Sequence, residues 1–148
     1  MQNVVLVQER SGRIKNALPL AGRVVRITWS DGVSENKDIS PLLLNHRAFG
    51  RVRKEDTVFS SLKISSDGAR LLWDDGSSLS ANAIAKLPHT EMDASEFRSI
   101  MADLNMTSEA VGSLLGLSRR AITSYRGGEP IPRVVAIAMQ FLRDRFAL

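Results

Sequence analysis

The sequence predicts an α+β protein in two parts. A small mixed or antiparallel β-sheet domain with short helices occupies residues 1–89, and an all-α domain occupies residues 90–148. Three observations support that division. Up to about residue 80, β-branched and apolar runs alternate with Ser-Gly and Asp-Gly turn signals. From Asp93 onward, apolar residues recur at helical spacing. Between the two, Pro88-His89-Thr90 interrupts the chain. With 148 residues, 43% of them hydrophobic, the chain has enough apolar material for a packed core in one domain or two.

In the first part, Val4–Val7 is an apolar run, Ser11-Gly12 a turn, and Arg13–Ala17 the expected returning partner of that run. Residues Pro19 to Gly22 break the chain. Arg23–Trp29 is a β-branched strand that stops at Ser30-Asp31-Gly32, and Val33–Asp38 runs back antiparallel. Ser40 is expected to cap a short helix with Pro41 at its first position. Leu62–Ile64 and Ala69–Trp73 flank the turn Ser66-Asp67-Gly68, and Asp74-Asp75-Gly76 leads to Ser77–Leu79. Trp29-Ser-Asp-Gly and Trp73-Asp-Asp-Gly use one hairpin device twice. The segments between them do not match, so a repeat is not inferred. Asp31, Asp67, Asp74 and Asp75 are read as turn residues, because calcium-loop spacing is absent. Ser80 caps a helix over Ala81–Leu87.

The helical part opens with Asp93-Ala-Ser-Glu96, a capping box in which Asp93 caps and Glu96 reaches back. Phe97, Ile100, Met101 and Leu104 form one buried face, and Asn105 ends the helix. Thr107 caps the next helix, with Val111, Leu114 and Leu115 inward and Gly112 small enough for a close crossing. Gly116 ends it in the left-handed conformation. Ser118 caps a third helix whose inward stripe is Ile122 and Tyr125, closed by Gly127 and Gly128. Glu129-Pro-Ile-Pro132 starts a last helix, with Val134, Val135, Ala138, Phe141 and Leu142 as its apolar face.

The outside of the segment 118–126 carries Arg119, Arg120, Thr123, Ser124 and Arg126 and no acid. A helix needing only solubility mixes both charge signs. Gly112, Gly116, Ile122 and Tyr125 at these spacings, with serine and two arginines opening the second helix, resemble the helix-turn-helix of the Cro and phage-repressor family. The resemblance implies that segment 118–126 lies in the major groove of double-stranded DNA. Arg119, Arg120 and Ser124 would then face bases, Ser118 and Thr123 would lie near base edges or phosphate, and Arg126, a turn further on, would contact phosphate or partner the C-terminal end of the helix dipole. Thr107 and Ser108 open the first motif helix, where many repressors grip phosphate with glutamine; Ser108 donates with shorter reach. Arg126 stands where glutamate is frequent.

The segment from about 13 to 87 carries the ITWSDG hairpin, the Asp38-x-Ser40-Pro41-Leu42-Leu43 helix start and a second Trp73-x-Asp75-Gly76 pair. It resembles a small bacterial α+β domain of unassigned biochemical function that occurs alone or joined to other modules, helix-turn-helix modules among them.

The formal net charge of +4 suits a polyanionic partner. The basic excess is not concentrated in the helical part, so DNA is inferred from the placement of arginines and not from bulk charge. No apolar run approaches the ~20 residues that span a bilayer, and the N-terminus lacks the order of a signal peptide, so a cytoplasmic protein is expected. With no cysteine, and with His46 and His89 far apart, metal chemistry is not expected and no cofactor is inferred. No nucleophile–base set points to an enzyme. The sequence therefore reads as a DNA-binding transcriptional regulator, homodimeric because one motif reads few base pairs. The alternative is an antitoxin-like module whose N-terminal domain holds a protein partner.

Overall fold

A computed structural model describes residues 12–146 of the chain. It is an α+β fold that divides into two compact units, Met1–Pro88 and His89–Leu148. Among the described residues no helix is long and apolar enough to cross a membrane.

In unit 1, β1 (Ile14–Pro19), β2 (Val24–Trp29) and β3 (Ser34–Asp38) form an antiparallel meander with β2 in the centre. Val25, Ile27 and Trp29 alternate along β2 and are buried on one face, as a strand's two-residue period requires. A second meander, β4 (Lys63–Ile64), β5 (Arg70–Leu72) and β6 (Ser78–Ser80), buries Leu71, Trp73 and Leu79. The two sheets meet where Ile14 N–H donates to Gly68 O at 2.8 Å. Gly68 has φ +73°, and a Cβ there would stand 2.9 Å from Ile14 O, so the junction requires glycine.

Trp29 ends β2 and Trp73 directly follows β5, and each opens the same turn. Trp29 N–H bonds Val33 O at 2.9 Å and Trp73 N–H bonds Ser77 O at 3.0 Å, with Gly32 and Gly76 at φ +89° and +90°. Asp31 Oδ1 accepts from Val33 N–H at 2.9 Å, Asp67 Oδ1 from Ala69 N–H at 3.0 Å, and Asp75 Oδ1 from Ser77 N–H at 3.0 Å. These aspartates are turn clasps. The Ser65 hydroxyl holds the Asp67 carboxyl below the ordinary carboxylate range, and the Ser77 hydroxyl does the same for Asp75. The strand after each tryptophan turn runs into a short helix, α1 (Ser40–Leu44) after β3 and α4 (Ala81–Ala85) after β6. The two Trp-x-Asp-Gly segments thus occupy equivalent places in two meander-plus-helix modules, a topological repeat that the unmatched intervening sequence conceals.

Several expectations change. Ile14–Pro19 pairs with β2, while the expected partner run Val4–Val7 lies outside the described residues. Strand β1, an edge strand among the described residues, runs on through Pro19, a residue that has no N–H to give at the strand's end. Ser40 is not the cap of α1. Ile39 holds that position without a side-chain bond, and Asp38 Oδ1 accepts from Ser40 N–H at 3.0 Å instead. Helix α4 is shorter than expected, stopping at Ala85. The segment after α1 folds into a 3-10 turn (Arg47–Phe49), α2 (Gly50–Lys54) and α3 (Asp56–Ser60), which strand and cap signals did not mark. Arginines bind this segment together. Arg23 donates to Val52 O and Arg53 O, both at 2.8 Å, and pairs with Asp56 at 2.9 Å; Arg53 donates to Leu43 O at 2.9 Å. Part of the basic excess of unit 1 is therefore consumed in capping helix ends.

Unit 2 consists of α5 (Ala94–Leu104), α6 (Ser108–Leu115), α7 (Arg119–Arg126) and α8 (Arg133–Phe146). Phe97, Ile100, Met101, Leu104, Val111, Ile122, Val135, Ala136, Met139 and Leu142 make its core. Asp93 Oδ1 caps α5 by accepting from Glu96 N–H at 2.8 Å. The Glu96 carboxylate does not close the capping box; its Oε2 lies 2.6 Å from His89 Nε2. Asn105 ends α5 with φ +53°, left-handed as its position demands. In α8, Val134 (77% exposed) and Phe141 (60%) point to solvent, contrary to expectation, and Ala138 is half-buried. Helix α8 has apolar residues on two faces, and packing selects the one with Val135, Met139 and Leu142. That face includes buried Gln140, whose side chain accepts from His89 N–H at 3.2 Å and donates to His89 O at 2.8 Å.

Candidate nucleic-acid interface

The α6–α7 pair is set by two serine/threonine caps and one glycine-dependent turn. Thr107 Oγ1 accepts from Ala110 N–H at 3.0 Å and Ser118 Oγ from Ala121 N–H at 3.1 Å, each satisfying a donor that the first helical turn leaves unpaired. Gly116 has φ +73°, and the N–H groups of both Gly116 and Leu117 turn back onto Gly112 O, the latter at 2.8 Å. Gly112 is needed for a reason different from the expected helix crossing. A Cβ at that position would lie 2.5 Å from Leu117 O, so it is the backbone of the turn that comes close. Leu114, expected inward, is 52% exposed; Val111 and Gly112 take the buried positions, with Leu115 half-buried.

Helix α7 rests on buried Ile122 and on Tyr125, whose ring meets Phe97 edge-on with centroids 5.9 Å apart. Ser118, Arg119, Arg120, Thr123 and Arg126 are exposed on the rest of its surface, and Ser124 is half-buried. Among the described residues, neither Arg119 nor Arg120 has an ion pair or a side-chain hydrogen bond, and α7 has no acid in its first turn. Thr123 Oγ1 donates to Arg119 O at 2.9 Å and Ser124 Oγ to Arg120 O at 3.0 Å, which leaves both oxygens free to accept. At the cap positions the roles are reversed. The Thr107 and Ser118 oxygens accept backbone bonds, so their hydroxyl protons remain available to an outside acceptor.

The far end of α7 is tied to two other helices. Arg126 Nη1 donates to Ser108 Oγ at 3.0 Å, and Arg98 Nη1 of α5 donates to Arg126 O at 2.7 Å. The two positions at which this chain departs from the repressor pattern, Ser108 and Arg126, are thus bonded to each other. Arg98 was not singled out from sequence. It is an exposed position on an amphipathic helix, and its partner lies 28 residues away, beyond any local signal. The structure brings Thr107, Ser108 and Arg126 together at the start of α6, and places Ser118, Arg119 and Arg120 at the start of α7.

No family model matches the chain, and no curated protein matches it. Among solved structures the chain aligns with a crystal structure described as "Putative DNA Binding Protein NE0471 from Nitrosomonas europaea ATCC 19718", at 19% identity and a TM-score of 0.41, covering 93% of this chain and 90% of that one. A likeness this slight transfers neither family nor function.

Proposed function

We propose that unit 2 is a helix-turn-helix of the Cro and phage-repressor kind that reads duplex DNA with α7, and that the protein is a sequence-specific transcriptional regulator without catalytic activity. The observation behind this reading is the start of α7. Among the described residues, Arg119 and Arg120 stand exposed there without an acid to pair with, at the positive end of the helix dipole. A cation at that end costs roughly 0.3–1 kcal/mol at the surface. Folding gains nothing from two of them, whereas base reading does: a guanidinium fork donates twice to guanine O6 and N7, worth about 1–3 kcal/mol of discrimination per good pair. Ser118 and Thr107, with hydroxyl protons still to donate, suit flanking phosphates. One α7 covers few base pairs, so the protein acts as a homodimer on paired half-sites.

The test is selection of bound duplexes from a random pool at near-physiological salt, with intact protein and with an Arg119→Ala, Arg120→Ala double variant. A palindromic motif enriched by the parent and lost in the variant supports the reading. Equal enrichment by both removes those arginines from base recognition. No enrichment by either returns the helical unit to a scaffold and favours protein-partner binding, the antitoxin-like alternative.

A further inference from the structure

A groove of about 330 Å³ opens at the start of α6, lined by Arg98, Arg126, Thr107 and Asn105 together with Met101 and Met106. Two guanidiniums converge on it from different helices, and each is oriented by a bond to a neutral acceptor, Arg126 O for Arg98 and Ser108 Oγ for Arg126. Among the described residues neither has an ion pair, and no carboxylate lines the groove. A guanidinium carries five N–H donors, so among the described residues most of the donors at this groove have no partner. Thr107 retains a hydroxyl proton beyond its capping bond. A surplus of fixed donors with no acid nearby suits a group that only accepts, and a phosphate matches the guanidinium fork in both charge and shape.

The groove also lies at a suitable distance from the base-reading residues. Arg119 and Arg126 are seven positions apart, which places them on one flank of α7 and roughly 10 Å apart along its axis. The major groove is about 12 Å wide and bordered by phosphates. With the start of α7 at base edges, its Arg126 end arrives at the bordering strand. Resting on the DNA-reading assignment above, we infer that this groove seats one backbone phosphate of the duplex. Arg98 and Arg126 contact it with Thr107, and Arg98 also fixes where Arg126 sits. The short Ser108 is accommodated because it serves as the acceptor that aims Arg126, while the long side chains reach the phosphate.

The experiment is equilibrium binding of the intact protein, followed by fluorescence anisotropy across a salt series, on the duplex that the parent selects and on a shuffled duplex. Arg98→Ala is expected to weaken both by a similar factor, on the order of tenfold at low salt, and to make the slope of log K against log salt shallower by about 1, while the selected sequence stays the same. Arg98→Gln, which keeps a donor for Arg126 O but not the charge, should show the same change of slope. Unchanged affinity and slope in Arg98→Ala, with the parent still selecting a motif, overturn the phosphate seat and leave base reading standing. A changed slope with the Arg119→Ala, Arg120→Ala variant still selecting the motif overturns base reading by α7 and leaves a phosphate contact. A parent that binds no duplex overturns both. Circular dichroism of each variant checks that the exposed substitutions leave the fold intact.

Discussion

Replacing Gly112 with alanine should loosen the turn that joins α6 to α7. On helix propensity alone the change is favourable by about 1 kcal/mol. The new Cβ, however, would lie 2.5 Å from Leu117 O, a backbone atom that cannot rotate away. Relieving the contact means moving the turn, and the Leu117 N–H to Gly112 O bond moves with it. Overpacking of this kind costs roughly 1–3 kcal/mol, and a weakened hydrogen bond about 1 kcal/mol more. The net expectation is a loss of about 1–3 kcal/mol, or on the order of 5–20 °C in Tm for a unit of this size. Gly50→Ala is the control: its backbone is right-handed helical and the nearest atom to its new Cβ is Arg53 Nη2 at 4.0 Å, so a gain of about 0.4–1 kcal/mol is expected. Thermal melts would be followed at 222 nm for helix and by tryptophan fluorescence for unit 1, where both tryptophans lie. A Gly112→Ala protein whose helical signal melts at or above the parental temperature would refute the close-approach argument.

Three further outcomes follow from the packing and the turns. Met139→Ala should cost about 2–5 kcal/mol, whereas Phe141→Ser should stay within about 0.5 kcal/mol; equal costs in urea melts would mean that the buried face of α8 is misassigned. Gln140→Leu strips both backbone bonds from His89 and should lose about 1–3 kcal/mol, and faster amide exchange at His89 in this variant is the accompanying sign. The Asp75 carboxyl is held low chiefly by the Ser77 hydroxyl, so its stabilising contribution is present above the unfolded-state pKa and is lost as pH falls through the folded one. In Ser77→Ala the carboxyl should titrate closer to an ordinary aspartate, and an unchanged carbon-13 titration curve would show that the hydroxyl is not the cause.

Where the physics is local the sequence was mostly sufficient, Ser40 being the exception because the Asp38 carboxylate two residues earlier accepts its N–H. The caps at Ser80, Asp93, Thr107 and Ser118 depend on a side chain and an N–H a few residues apart, and all four are made. The left-handed ends at Asn105 and Gly116 are equally local. Misreadings cluster where distant partners compete. Val134 and Phe141 belong to a regular apolar stripe, yet the neighbouring stripe is buried. Glu96 is within reach of a local N–H but its carboxylate is drawn to His89. The segment 47–60 lacks a helix periodicity long enough to see and is fixed by Arg23 reaching in to Val52 O and by its own Arg53 reaching out to Leu43 O. At the candidate interface, the exposed residues of α7 were legible from spacing. The Arg98–Arg126–Ser108 chain was not, because it joins three helices that only the tertiary fold brings together.

The hold of Gln140 on His89 links the first residue of the helical unit to its last helix. The unit's entry and exit segments are thereby fastened to each other, with one amide closing the loop through hydrogen bonds to both faces of a single peptide residue. Tension arriving along the chain from the preceding residues is delivered to the middle of α8 before it reaches α5. A fragment intended to carry the helical unit by itself must therefore start upstream of His89. One beginning at the visible helix cap, Asp93, would keep every helix and still lose the fastening that closes the unit.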